Sequence, residues 1–240
     1  MDLNLNKILQ TSIENRLYKP IIKPLLPKDL KANTIYNYFK KYYSEINGKA
    51  FIETNETIAF VYTLIYYFKN ETNFHLSPLL YNVPNTYISL DKGLIIIGGY
   101  GTGKSSCLLT FQYMLNTIFK STVTLKFEKA IDVVHEYENL PQEEIELFYE
   151  KYCNGFRVID DLKSEKEASR YGKTDIYKEI LFKRCDNPII NSIITSNYSE
   201  ENPNNMEAAI ENFYRYGGRV LDRIYGKFNF IELNGKSFRN

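Results

Sequence analysis

The apolar positions change their spacing about a third of the way along the chain. Up to about Pro84 the pattern is helical and irregular. Leu3, Ile8, Ile13 and Leu17 recur at near-helical spacing and predict a helix over Leu3 to Leu17. The stretch KPIIKPLLPKD follows, where Pro20, Pro24 and Pro27 leave a turn-rich connector. Two more helices are expected, around Leu30 to Tyr43 and Glu56 to Asn70. The second contains IAFVYTLIYYF, Ile58 to Phe68, whose β-branched and aromatic residues suit a strand but whose length favours a buried helix. Its Tyr62, Tyr66, Tyr67 and Phe68 have the chemistry to stack nucleic-acid bases. No Lys or Arg interrupts the run, so core packing is the reading adopted.

From about Leu90 strand and helix alternate. GLIII is a short buried strand, and a helix is expected over Lys104 to Phe119. A strand over Ser121 to Phe127 and a helix over Ala130 to Tyr137 follow. The third strand is Phe156 to Asp160, then comes a helix over Ile176 to Lys183, and the fourth strand is Asn191 to Asn197. Helical text runs from Met206 to Ile224, broken at Gly217 and Gly218, and Phe228 to Leu233 is the fifth strand. Strands separated by helices predict an α/β fold, with a parallel sheet covered by helices on both faces.

Composition narrows the picture. A length of 240 residues accommodates one α/β domain and a smaller appendage, and 44% hydrophobic with 25% charged residues is ordinary for a protein with a buried core. The net charge of +1 gives no global pull towards nucleic acid or a membrane, and the longest apolar run is far short of the ~20 residues of a membrane span. The first fifty residues are locally basic, and PQEEIELFYE is acidic. These are either solvated helix faces or, at the N-terminus, a basic arm for an acidic partner or nucleic acid. Cys107, Cys153 and Cys185 have no CxxC spacing, and His75 and His135 are the only histidines. Neither a zinc site nor a disulfide framework is expected, nor a signal peptide, so a cytoplasmic location is the expectation.

The chemistry sits in GGYGTGKSS, directly after the first strand. Gly98-x-x-x-x-Gly103-Lys104-Ser105 fits GxxxxGK[ST]. Glycines let the backbone turn its N–H groups inward, and with the positive end of the next helix they make a nest for phosphates. Gly98, Gly99, Tyr100, Gly101, Thr102, Gly103, Lys104, Ser105 and Ser106 are therefore assigned to nucleotide binding. Lys104, expected to be exposed at the loop, supplies a cation, and the Ser105 hydroxyl is a ligand for Mg²⁺. FRVIDDL ends the third strand on Asp160 and Asp161. The first can hold Mg²⁺ through water and the second can polarise an attacking water, unless both are helix-capping acids. Asn197, in TSN, points towards the γ-phosphate if the fourth strand lies between the first and third; otherwise it caps the next helix. No NKxD or TKxD motif supports GTP. An acidic pair on a separate strand suits water activation better than small-molecule phosphorylation.

Together GGYGTGKSS, FRVIDDL, SIITSN and YGGRVLDRIYGKFNFIELNGKSFR resemble the AAA+ ATPases of the bacterial helicase-loader type (DnaC-like) and the related IstB-like transposition helpers. The resemblance runs from about Ile52 to the C-terminus. It implies a P-loop sheet of five parallel strands in the order 5-1-4-3-2, ATP with Mg²⁺, and ATP-bound homo-oligomers. Asn197 would be the sensor I residue. Arg223, and after it Arg219, would reach a neighbouring subunit's ATP, unless the two are a salt-bridged helix face. Three departures stand out. Asp161 occupies a position that is often Glu, DDLK replaces DDLG, and the tail after the fifth strand leaves no room for a helical lid. The implied organisation is a helical partner-binding region over 1–50 and an ATPase domain over 51–240. The implied function is a replication helicase loader or accessory ATPase, with a replicative helicase and single-stranded DNA as partners. A transposition helper serving a transposase, and a nucleotide-sensing scaffold with little turnover, are the alternatives.

Overall fold

The computed structural model describes residues 23–169, 172–189 and 191–238, so the helix expected over Leu3 to Leu17 lies outside the described residues. Strands β2 (Gly93–Gly98), β4 (Arg157–Asp160) and β7 (Ser192–Ser196) are buried throughout, around the apolar residues at their centres. β3 (Lys126–Lys129) and β8 (Phe228–Leu233) flank them, and β1 (Leu80–Tyr81) adds an edge. The spatial order is β1-β8-β2-β7-β4-β3. All pairs are parallel except β1 with β8. Without β1 this is the expected order 5-1-4-3-2. Two-residue β5 (Ala168–Ser169) and β6 (Lys173–Thr174) form a separate antiparallel pair.

Alternate residues of each strand face opposite sides, which divides the core in two. Ile95, Ile97, Ile159 and Ile194 pack with helices α4 (Ala130–Asn139), α5 (Ile145–Cys153), α6 (Ile176–Asp186), α7 (Met206–Glu211) and α8 (Gly218–Lys227). Leu94, Ile96, Val158 and Ile193 pack with α1 (Ala32–Asn47), α2 (Asn55–Lys69) and α3 (Lys104–Tyr113). Ile35, Tyr36, Phe39 and Tyr43 of α1 thus share a core with Phe68 and Phe111. In α2, Tyr67 and Phe68 are buried, and the Tyr67 hydroxyl donates to the Lys92 carbonyl.

Two expected elements differ in extent. Helix α3 ends at Tyr113 and passes into a π-helical turn, Met114–Ile118, closed by Phe119 N donating to Met114 O at 2.8 Å. β3 starts at Lys126 rather than Ser121 because the preceding backbone is bonded elsewhere. The Asn116 amide takes both the N–H and the carbonyl of Leu125, at 2.9 and 2.8 Å. Those groups are then unavailable to a ladder with β4. No helix among the described residues is long and apolar enough to cross a membrane.

Candidate functional site

β2 lies between β7 and β8, and its carboxyl end opens onto the loop Gly99 to Gly103, after which α3 begins at Lys104. The glycines have separate reasons to be there. Gly103 takes φ 91°, a left-handed conformation that turns the chain into α3. At Gly98 a β-carbon would run into the Leu233 carbonyl oxygen of β8, so its absence is a packing requirement. Gly98→Ala is expected to cost ~2–3 kcal/mol by overpacking, lowering the thermal midpoint by roughly 5–10 °C. Melting of the variant without nucleotide checks this; an unchanged midpoint would show that β8 yields.

Lys104 is not exposed as expected; it is 7% accessible. Its ammonium donates to the carbonyls of Gly98 and Gly99 at 2.8 and 2.9 Å and to Asn197 Oδ1 at 2.9 Å. The loop curls its own carbonyls around the ammonium, and this contact removes it from solvent. Asn197 then donates through Nδ2 to Asp161 Oδ1 at 2.6 Å. One chain of contacts therefore joins Lys104, Asn197 and Asp161. Beside it, Ser105 Oγ donates to Asp160 Oδ1 at 2.8 Å, and Thr195 Oγ1 donates to the same oxygen at 2.7 Å. Thr195 also accepts from the Asp161 N–H at 2.8 Å. Thr195 ties the two acids to β7, a role the sequence did not single out.

The condition set for Asn197 is met: β7 lies between β2 and β4. No helix starts at Asn197, Asp160 or Asp161, so capping explains none of them. A cleft of about 460 Å³ is lined by the loop from Tyr100 to Ser106, Asp160, Asp161, Thr195 and Asn197. Tyr43 and Lys49, Lys129 and Phe238 also line it, brought from three separate stretches of chain. The Phe238 N–H donates to the Gly101 carbonyl at 3.0 Å, so the C-terminal tail crosses the glycine loop. Among the described residues no three His, Cys, Asp or Glu side chains cluster as a metal site. The adjacent Ser105 hydroxyl and Asp160 carboxylate are instead the hard-oxygen pair that suits a largely hydrated Mg²⁺.

Glu165 is buried away from the cleft. It accepts from the Lys163 N–H at 2.8 Å and from the Tyr216 hydroxyl at 2.6 Å, and burial raises its pKa. Arg219 is exposed. Arg223 pairs with Asp186 at 2.9 Å and lies over the Phe182 ring. Neither arginine lines the cleft of its own chain.

A DnaC helicase loader crystal structure superposes with a TM-score of 0.54 at 20% identity, over 81% of this chain and 99% of that one. The chain shares the fold of that structure. It is a P-loop nucleoside-triphosphatase fold with a mostly parallel sheet. A DnaI structure gives 0.49 at 18% identity, over 79% and 90% of the two chains. AMPPCP-bound DnaA from Aquifex aeolicus gives 0.40 at 17% identity, over 60% and 40%. No protein-family model and no curated protein matches the sequence.

Proposed function

We propose that this chain binds and hydrolyses ATP with Mg²⁺ as an AAA+ protein of DNA replication, acting as a helicase loader or a closely related accessory ATPase. The observation that carries the reading is the series Lys104–Asn197–Asp161 beside Ser105–Asp160, at the carboxyl ends of three adjacent strands. Phosphates bind in the loop N–H nest, and Lys104 exchanges its carbonyl partners for phosphate oxygens. Ser105 and Asp160 would hold Mg²⁺, which offsets charge on the phosphates. Asp161 and Asn197 orient the attacking water, and Thr195 keeps both acids in place. The shared fold supports the replication role. In this reading the N-terminal region, including residues 1–22, engages a replicative helicase, and ATP-bound subunits assemble on single-stranded DNA.

Two substitutions test the division of labour. Asp161→Asn is expected to keep nucleotide affinity within about threefold and lose most turnover, on the order of 10²-fold. Asp160→Ala should also weaken the Mg²⁺-dependent part of binding. Phosphate release measured beside equilibrium titration separates the two effects. Wild-type hydrolysis by Asp161→Asn would remove Asp161 from the chemistry. Turnover stimulated by single-stranded DNA, with capture of a replicative helicase, supports the loader reading. Preference for duplex DNA and contact with a transposase would support a transposition helper.

A further inference from the structure

The loop after β4 bends through two left-handed residues that are not glycine, Asp161 at φ 57° and Lys163 at φ 79°. Side chains with a β-carbon adopt this conformation only where their surroundings hold them there. Glycine would take the second position freely. Lysine is disfavoured there for another reason as well, since burial, and then the Arg215 guanidinium, lower its pKa to about 8. Nothing in the turn itself calls for an ammonium.

The contacts of that ammonium point elsewhere. Lys163 Nζ donates to the Ala209 carbonyl at 3.0 Å and reaches the Asn197 carbonyl at 3.4 Å. It lies 4.8 Å from the centre of the Phe213 ring. Arg215 answers from the other side, donating to the Lys163 carbonyl at 3.2 Å and the Glu165 carbonyl at 3.4 Å. Arg215 also lines a cavity of about 380 Å³ that shares Asp161 and Asn197 with the nucleotide cleft. The segment gripped, residues 206–216, runs through Gly217 at φ 103° directly into α8, which carries Arg219 and Arg223.

We infer that Lys163 is a positioning residue which, with Arg215, latches the Asp161 loop and the Asn197 peptide to the segment that supports the arginine-bearing helix. A change at the phosphate end of Asn197 is thereby passed to α8 through two charged side chains. The inference rests on the hydrolytic reading above for its kinetic consequence, and on the contacts alone for its mechanical one.

Lys163→Gly separates the latch from the turn, because it relieves the left-handed strain while removing the ammonium. The expected result is a thermal midpoint within about 3 °C of wild type, unchanged ATP affinity, and turnover reduced on the order of tenfold. Arg215→Ala should behave alike, and the double variant should be little worse than either single one, as for two parts of one device. Lys163→Met, which keeps the strain and loses the charge, provides the same readout if the glycine loosens the loop. Amide hydrogen exchange supplies a second arm. Mg-AMP-PNP should slow exchange across residues 206–216 in the wild type and not in Lys163→Gly. Full turnover with intact nucleotide protection of 206–216 in Lys163→Gly would overturn the latch. A wild-type protein that does not hydrolyse ATP would defeat the hydrolytic reading alone, because the exchange experiment needs only binding.

Discussion

Lys104→Ala is expected to abolish the rise in thermal stability that Mg-ATP produces, while the unliganded protein melts near the wild-type midpoint. At a hundredfold excess over the dissociation constant, nucleotide stabilises the folded state by about 2.7 kcal/mol. That corresponds to a shift of roughly 5–10 °C for a chain of this length. Among the described residues the ammonium is the one cation that reaches both Gly98 and Gly99 carbonyls and the Asn197 side chain. Its removal leaves three acceptors at the edge of a cleft, where water can replace it, so the fold loses only ~1 kcal/mol. Alanine is also the best helix former, and position 104 opens α3. The phosphate site has no such substitute, since the loop N–H groups alone cannot offset several negative charges. Melting with and without Mg-ATP decides the matter, and an undiminished shift in the variant would remove Lys104 from phosphate binding.

Much of this site was legible because its parts are local. Gly98 to Ser105 lie in one stretch, and Asp160, Asp161 and Asn197 sit at or just past the carboxyl ends of two strands, so strand order alone brings them together. The alternation of helix and strand predicts only a parallel sheet; its strand order came from the resemblance to AAA+ proteins. What the sequence hides is contact between stretches without a shared motif. Thr195 looks like an ordinary strand residue until β7 is set beside β4. Tyr43 and Phe238 meet at the glycine loop from opposite ends of the chain. Lys163 was legible only as a missing glycine; its partners Ala209, Phe213 and Arg215 lie some fifty residues on. The expectation of an exposed Lys104 failed for a related reason, since motif spacing says which groups bind phosphate and not what they bind otherwise.

Hydrolysis should require a neighbouring subunit. Arg223 holds Asp186 at 2.9 Å, but their side chains are 31% and 62% accessible. A pair this exposed contributes about 0–1 kcal/mol, so Arg223 can exchange Asp186 for a phosphate at little cost. An arginine supplied to a transferring phosphoryl group is worth on the order of 10³-fold or more in rate. Arg223→Ala is therefore expected to bind ATP in its own cleft and to lose nearly all turnover, while wild-type activity per subunit rises with protein concentration. The sharper measurement mixes Arg223→Ala with Asp161→Asn. Each is close to inactive alone, because every interface lacks one group. In a mixture, an Arg223→Ala subunit keeps Asp161 in its cleft, and an Asp161→Asn neighbour offers it an intact Arg223. For head-to-tail contacts between equal amounts of the two, about one interface in four is complete. Phosphate release should recover to about that fraction of wild type. A mixture that co-assembles by sedimentation and recovers nothing would return Arg223 to a surface ion pair with Asp186.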